Sequence, residues 1–78
     1  MSNEELWLHY QIVTDCWRAF KDYIETGNMG QWNNRIGEIR QKYPDSTFCE
    51  DIFWAFVKPV AREAEKIRER LEQDRSNR

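Results

Sequence analysis

Three segments with an apolar residue at every third or fourth position constrain this fold more than any other feature of the chain. The first segment alternates spacings of four and three, the period of one helix face; its members are Leu6, Tyr10, Val13, Trp17, Phe20 and Ile24. Gly27 and Pro44 separate the segments, and each residue favours a helix end. No alternating β-branched run indicates a strand. The pattern therefore predicts an all-α fold.

Capping residues mark the start of each predicted helix. Ser2 with Glu5, and Thr47 with Glu50, match the S-x-x-E capping box, and Asn28 is a suitable N-cap between them. The predicted helices cover about residues 3–26, 29–43 and 47–74. Because short turns join them, we expect antiparallel neighbours in a three-helix bundle.

We expect a single domain over residues 1–75 and a frayed tail at 76–78. Pro59 lies inside the long C-terminal segment, where a proline removes a backbone hydrogen bond and bends a helix. Two helices meeting there would need Lys58 as an N-cap, although its side chain has no acceptor. The sequence therefore favours one long C-terminal helix kinked at Pro59.

The first helix carries more apolar surface than one groove requires. Besides the Leu6–Ile24 series it bears a second apolar face about 100° away, which comprises Leu8, Ile12, Cys16, Ala19 and Tyr23. Together the two faces span about 200°, more than the ~100° that one groove needs. The third helix adds Trp54 and an apolar stripe beyond Pro59 that extends past the shorter second helix. The predicted partner interface consists of Leu8, Ile12, Tyr23, Trp54, Ile67 and Leu71.

Charge and composition disfavour several classes of partner. Twelve basic and 14 acidic residues are interleaved, with a net charge of −2, which provides no field to attract nucleic acid or an anionic membrane. No apolar run reaches the roughly 18 residues of a membrane span, and the N-terminus lacks the features of a signal peptide. Two cysteines are too few for a disulfide scaffold. We expect a cytoplasmic protein.

Candidate catalytic and metal-binding residues do not form a recognised motif. His9 is the only histidine, and with Glu5 and Cys16 it lacks the convergent four-ligand set of a zinc site. Cys16 and Cys49 fit small buried hydrophobes better than a disulfide or a nucleophile. The sequence predicts no enzyme, no metal and no cofactor.

A helix-turn-helix interpretation places the third helix in the DNA major groove. Its first turns are acidic and aromatic where arginine, lysine or amide side chains should meet the bases. A basic patch on the second helix from Arg35, Arg40 and Lys42 would favour DNA, but Glu38 interrupts it. Nucleic acid binding is therefore disfavoured.

Three stretches carry a resemblance to known proteins: "LWLHYQIVTDCWRAF", the spacing of Trp32, Ile36, Ile39 and Tyr43, and "FCEDIFWAFV". In these packing patterns the chain resembles the small, aromatic-rich, all-helical proteins of bacterial mobile elements and phages, a group with no established activity. The resemblance implies a protein that binds and inhibits a host protein, and it assigns no functional residue.

The sequence therefore predicts a small protein–protein interaction module that forms a homodimer and has no catalytic activity. The alternative is a mobile-element or phage inhibitor or adaptor that binds a host protein as a monomer. A small DNA-associated regulator is the third hypothesis.

Overall fold

The computed structural model describes the backbone of residues 1–76 and the side chains of residues 1–73. Over that range it contains three helices and no strand: α1 (Asn3–Thr26), α2 (Met29–Lys42) and α3 (Thr47–Ser76). The all-α, three-helix prediction is confirmed, and the observed bounds lie within two residues of those predicted. The frayed tail predicted for 76–78 lies outside the described residues, apart from Ser76 at the end of α3.

Short polar side chains cap the first two helices at the predicted positions. The Ser2 hydroxyl accepts a hydrogen bond from the Glu5 N–H at 3.1 Å, and the Asn28 amide oxygen accepts one from the Gln31 N–H at 3.0 Å. Gly27 ends α1 with a φ of 67°, a left-handed conformation that glycine adopts without a steric penalty. These local signals position the turn between α1 and α2.

Helix α3 begins at Thr47, as predicted, but its N-cap lies one residue earlier than expected. Thr47 is already helical, and the hydroxyl of Ser46 accepts a hydrogen bond from the Cys49 N–H at 3.0 Å. The capping box predicted for Thr47 is therefore wrong. The Ser46 N–H also donates to the Tyr43 carbonyl, so the turn after Pro44 places Ser46 in the capping position.

Helices α1 and α3 lie side by side and run in the same direction. The His9 and Phe48 rings stack with centroids 4.0 Å apart, and Phe56 contacts Phe20 at 5.2 Å, nearer the other end of α1. The Ile67 side chain lies against the backbone of the α1–α2 turn. The residues of α3 beyond Ile67 therefore extend past the end of α1.

Helix α2 packs on the other side of α1 and runs in the opposite direction. Asp15 of α1 accepts hydrogen bonds from the Tyr43 hydroxyl at 2.9 Å and from Lys42 at 3.2 Å. Further along, Asp22 pairs with Arg35. Because α2 begins at Met29 and ends at the level of Asp15, the first third of α1 has no α2 beside it.

The core lies where the other two helices meet α1. Its nine buried residues are Ile12, Cys16, Ala19, Tyr23, Trp32, Ile36, Ile39, Cys49 and Val60. On α1 these are four members of the second apolar face, from which the sequence analysis took the partner-facing Leu8, Ile12 and Tyr23. The Leu6–Ile24 face is mostly exposed instead, so the expectation for the second face is reversed.

Side-chain size explains this reversal. Helix axes approach to about 8–10 Å only where the side chains at the contact permit it. Cys16 and Ala19 are 0% and 1% exposed and occupy little space between α1 and its neighbours. A tryptophan such as Trp17 at that place would hold the helices apart.

Pro59 lies inside α3, which is one helix from Thr47 to Ser76. The interpretation of a single helix rather than two is confirmed, while the kink at Pro59 stays a prediction. Val60, next in the chain, is 3% exposed, and Ala61 faces the N-terminal end of α2. Because Ile67 lies at the α1–α2 turn, α3 passes the N-terminal end of α2 about two turns beyond Pro59.

Candidate interaction surface

An unbroken series of apolar side chains lies open on α1. We call this series the α1 stripe; it consists of Leu6, Tyr10, Val13, Trp17, Phe20 and Ile24. All of its members except the half-buried Phe20 are between 38% and 61% exposed. Trp7, at its edge, stacks on Tyr10 with ring centroids 5.5 Å apart. Spacings of four and three without drift are those of a helix that packs along another helix.

The α1 stripe adjoins α3 at Phe20. Trp7 and Tyr10 border a depression that they share with Lys42 at the end of α2. Phe20 contacts Phe56 of α3, and Trp17 contacts Phe20 with ring centroids 5.9 Å apart. Asp15 and Asp22, which bind α2, lie on the opposite flank of α1. The open apolar surface therefore continues from α1 onto the adjacent side of α3.

The predicted interface residues separate into three groups. Ile12 and Tyr23 are 0% and 2% exposed, so their assignment to a partner interface is wrong for this fold. They pack in the core because α2 and α3 both approach that face of α1. Ile67 is half-buried near Gly27.

The other three predicted interface residues are exposed but lie apart. Leu8 lines a surface depression of about 400 Å³ with the α2–α3 turn. Trp54 is 62% exposed on the α2 side of α3, and Leu71 is 60% exposed on the part of α3 beyond the bundle. The structure does not bring these three residues together in one surface.

A groove of about 430 Å³ separates α2 from α3. Its apolar lining includes Trp32, Ile36, Phe53, Trp54, Val57 and Val60. At one end the Arg40 guanidinium lies over the Phe53 ring, 5.0 Å from its centroid, and pairs with Glu50 at 2.8 Å. Gly37 leaves open space where a Cβ would be. This groove is the second apolar surface of the molecule.

The two cysteines are free and buried, as the sequence analysis expected. Burial raises the pKa of the Cys16 thiol to about 11, with smaller contributions from Cys49 and Asp15. Burial also raises the pKa of Cys49. Both thiols stay protonated near neutral pH, so neither has the ionised form that a nucleophile needs.

His9 does not lie in a group of potential ligands. Its ring stacks on Phe48 at an interplanar angle of 18°. Within the part of the chain that the structure describes, no three histidine, cysteine, aspartate or glutamate side chains are grouped so that they could hold a metal ion.

The three cations that would form a basic patch on α2 are each paired with an acid. Arg35 pairs with Asp22, as described above. Arg40 pairs with Glu50, and Lys42 lies 3.2 Å from Asp15. Because these cations are paired with acids of the same chain, they are less available to bind the phosphate groups of a nucleic acid.

Two further findings concern membrane spans and similar proteins. None of the helices, over residues 1–76, combines the length and the apolar character needed to cross a membrane. No protein family matches the chain, and comparisons with curated proteins and with solved structures find no similar chain. The α1 stripe is therefore identified from geometry alone. The buried face of α1, from Ile12 to Tyr23, has the same four–three spacing, so exposure in the structure and not the sequence pattern identifies the stripe.

Proposed function

We propose that this protein is a small interaction module that forms a homodimer through the α1 stripe. The observation that carries the proposal is the exposure of a complete four–three series over nineteen residues, Leu6 to Ile24. Such a series is self-complementary, because two copies can interleave their side chains along one seam.

The size of the open surface supports this proposal. Trp7, Tyr10 and Trp17 are each more than half exposed, and at about 150–250 Å² per ring they leave on the order of 350 Å² open. The aliphatic members add to this area. The patch therefore reaches the upper part of the ~300–600 Å² range for the largest patch of a typical monomer. With a polar rim it approaches the ~800 Å² that a standard interface buries per partner.

The experiment is solution mass by light scattering on a size-exclusion column over a hundredfold range of concentration. We expect twice 9.6 kDa at the upper concentrations. Trp17→Lys places a charge in the middle of the stripe and should give the monomer mass. Because Trp17 is 52% exposed in the protomer, the helical circular dichroism spectrum should be retained.

Trp54→Lys is the matched control, since Trp54 is also more than half exposed but lies on the α2–α3 groove. It should leave the dimer mass unchanged. A wild-type monomer at every concentration contradicts the proposal. Loss of the dimer in Trp54→Lys, with retention in Trp17→Lys, moves the interface to the groove.

A second candidate is a monomeric adaptor or inhibitor that binds another protein in the α2–α3 groove. The observation that favours it is the apolar lining of the groove, with Trp54 exposed at the rim. It predicts a stable monomer that loses its target when Trp54 is changed. The paired cations of α2 give the DNA-associated regulator no comparable support.

A further inference from the structure

A second four–three series lies on α3, next to the α1 stripe. It consists of Phe48, Ile52, Ala55 and Pro59. Ala55 is exposed and the other three are half-buried. At 3.6 residues per turn, Ala55 lies about 200° around α3 from Val57, which lines the α2 side. The α3 series therefore faces away from α2, on the side where the α1 stripe lies open.

Two parallel helices with adjacent four–three series form half of a four-helix bundle. In such a bundle every helix presents a seam, which is a row of apolar side chains with this spacing, to the common core. Here α2 lies on the opposite flank of α1. Phe48 and Ile52 also pack partly against the protomer's own core, but Ala55 and most of the α1 stripe have no helix across from them. A second copy of the same pair is the occupant that supplies the two missing seams.

We propose that the homodimer is an antiparallel four-helix bundle, in which α1 and α3 of each copy form the core around one two-fold axis and α2 lies outside. The inference rests on the self-association proposed above and specifies its geometry. The axis passes between Val13 and Trp17 on α1 and between Ile52 and Ala55 on α3.

The register of α1 against α3 allows a single axis to centre both seams. Phe48 lies beside His9, Phe56 beside Phe20, and Ile67 beside Gly27, offsets of 39, 36 and 40 residues. The two seam centres, midway between positions 13 and 17 and midway between 52 and 55, are about 38 residues apart. The offset that symmetry requires is thus the offset that the protomer already has.

Side-chain sizes match in the antiparallel arrangement. Val13 faces the partner's Trp17, so each central layer combines a small and a large residue. Tyr10 faces the partner's Phe20, and Leu6 faces the partner's Ile24. In a parallel pair Trp17 would face the partner's Trp17, and Val13 would face the partner's Val13. Neighbouring layers would then differ in volume.

Charges on the outer edge of α3 also match. Asp51 and Lys58 are exposed and form no ion pair with any described residue of their own chain. Across an antiparallel α3 pair, Asp51 lies close to the partner's Lys58. The two-fold axis generates the equivalent contact between Lys58 and the partner's Asp51. In a parallel pair the two α3 helices lie on opposite sides of the α1 seam, and neither charge meets a partner.

Oxidative cross-linking distinguishes the two directions. We expect a disulfide when Leu6→Cys and Ile24→Cys proteins are mixed, and none from either protein alone. The native thiols are buried and protonated, so the new cysteine is the one that reacts. Self-cross-linking of Leu6→Cys alone overturns the antiparallel geometry.

A pair of alanines on α3 tests its place in the core. Ala55→Lys should weaken association by about tenfold or more, because it obstructs the contact between the two α3 helices. Ala61→Lys is the matched control: Ala61 is also exposed on α3 but lines the α2 groove, and it should leave association unchanged. Equal effects of the two variants overturn the inference.

Light scattering on the same samples separates this inference from the proposed function. A monomeric wild type contradicts both. A dimer that loses mass in Trp17→Lys but not in Ala55→Lys retains the proposed function and overturns the four-helix geometry. A dimer that loses mass in both variants, with the mixed disulfide, supports the bundle.

Discussion

Two faces of α1 differ in side-chain size and in exposure. The face that the core covers carries Ile12, Cys16, Ala19 and Tyr23. The α1 stripe is larger and more aromatic, and most of it lies open to solvent. The bulkier face is thus the one that the protomer leaves uncovered. Hydrophobicity alone does not determine which face of a helix is buried; the space between helices decides as well.

The uncovered face also differs in its length. Both faces keep four–three spacing, but the buried residues run only from Ile12 to Tyr23, whereas the α1 stripe runs from Leu6 to Ile24. The core face receives two helices of different length and direction, α2 and α3. The longer stripe suits a single long helix as its neighbour, which is the basis of the proposed self-association.

The largest expected effect separates the two faces by stability. Ile12→Ala removes a side chain that is 0% exposed and should lower the free energy of unfolding by about 3 kcal/mol. Trp17→Ala should cost no more than about 1 kcal/mol when the values are extrapolated to dilute protein, where no dimer forms. Urea unfolding followed by circular dichroism measures both.

If Ile12→Ala does not fold, Ile12→Val, with an expected loss of about 1 kcal/mol, provides the same test. A loss for Trp17→Ala in dilute protein as large as that for Ile12→Ala would contradict the comparison, because the stripe would then be buried within the protomer.

An intermediate effect concerns the thiol in the core face. The pKa of Cys16 is raised from 9.0 to about 11, chiefly by burial, so the folded state retains the proton that the unfolded state releases. This contribution is complete below pH 9 and is lost as the pH rises through 11. At about pH 10.5 the free energy of unfolding should have fallen by about 2 kcal/mol more in the wild type than in Cys16→Ala.

Urea unfolding at about pH 8 and about pH 10.5, on either side of the ordinary thiol pKa, checks this difference. Tyr23, whose pKa burial and Glu63 also raise, is present in both proteins, so its contribution cancels in the comparison. Equal pH dependence in the two proteins would show that the Cys16 thiol is not desolvated in the core.

The smallest effect is expected at Gly37, an exposed residue of α2 that borders the α2–α3 groove. Gly37 is helical, and no atom of a neighbouring residue lies within 4 Å of the position that a methyl group would take there. Gly37→Ala should therefore raise the free energy of unfolding by about 0.5–1 kcal/mol through helix propensity. Gly27→Ala should lower it by about 1 kcal/mol, because φ is 67° there. Thermal unfolding of both variants gives the two signs, and a destabilising Gly37→Ala would indicate a neighbour close to α2.

Local signals in the sequence predicted most of the fold. Ser2, Asn28 and Gly27 act through hydrogen bonds and backbone angles within a few residues, so their roles follow from the sequence. The exception is Ser46, which caps α3 in place of Thr47 because the turn after Pro44 determines which hydroxyl faces the helix end. The candidate site was less predictable: of the six interface residues expected, Ile12 and Tyr23 lie in the core.

The sequence by itself determined the three helices within residues 1–76, their approximate bounds, and the two apolar faces of α1. The spacing of apolar residues predicts the helices and their faces because it depends only on the geometry of a single helix. Only the tertiary structure decided which face is buried. That choice depends on how closely α2 and α3 approach α1, and the small side chains of Cys16 and Ala19 admit both helices where Trp17 would exclude them.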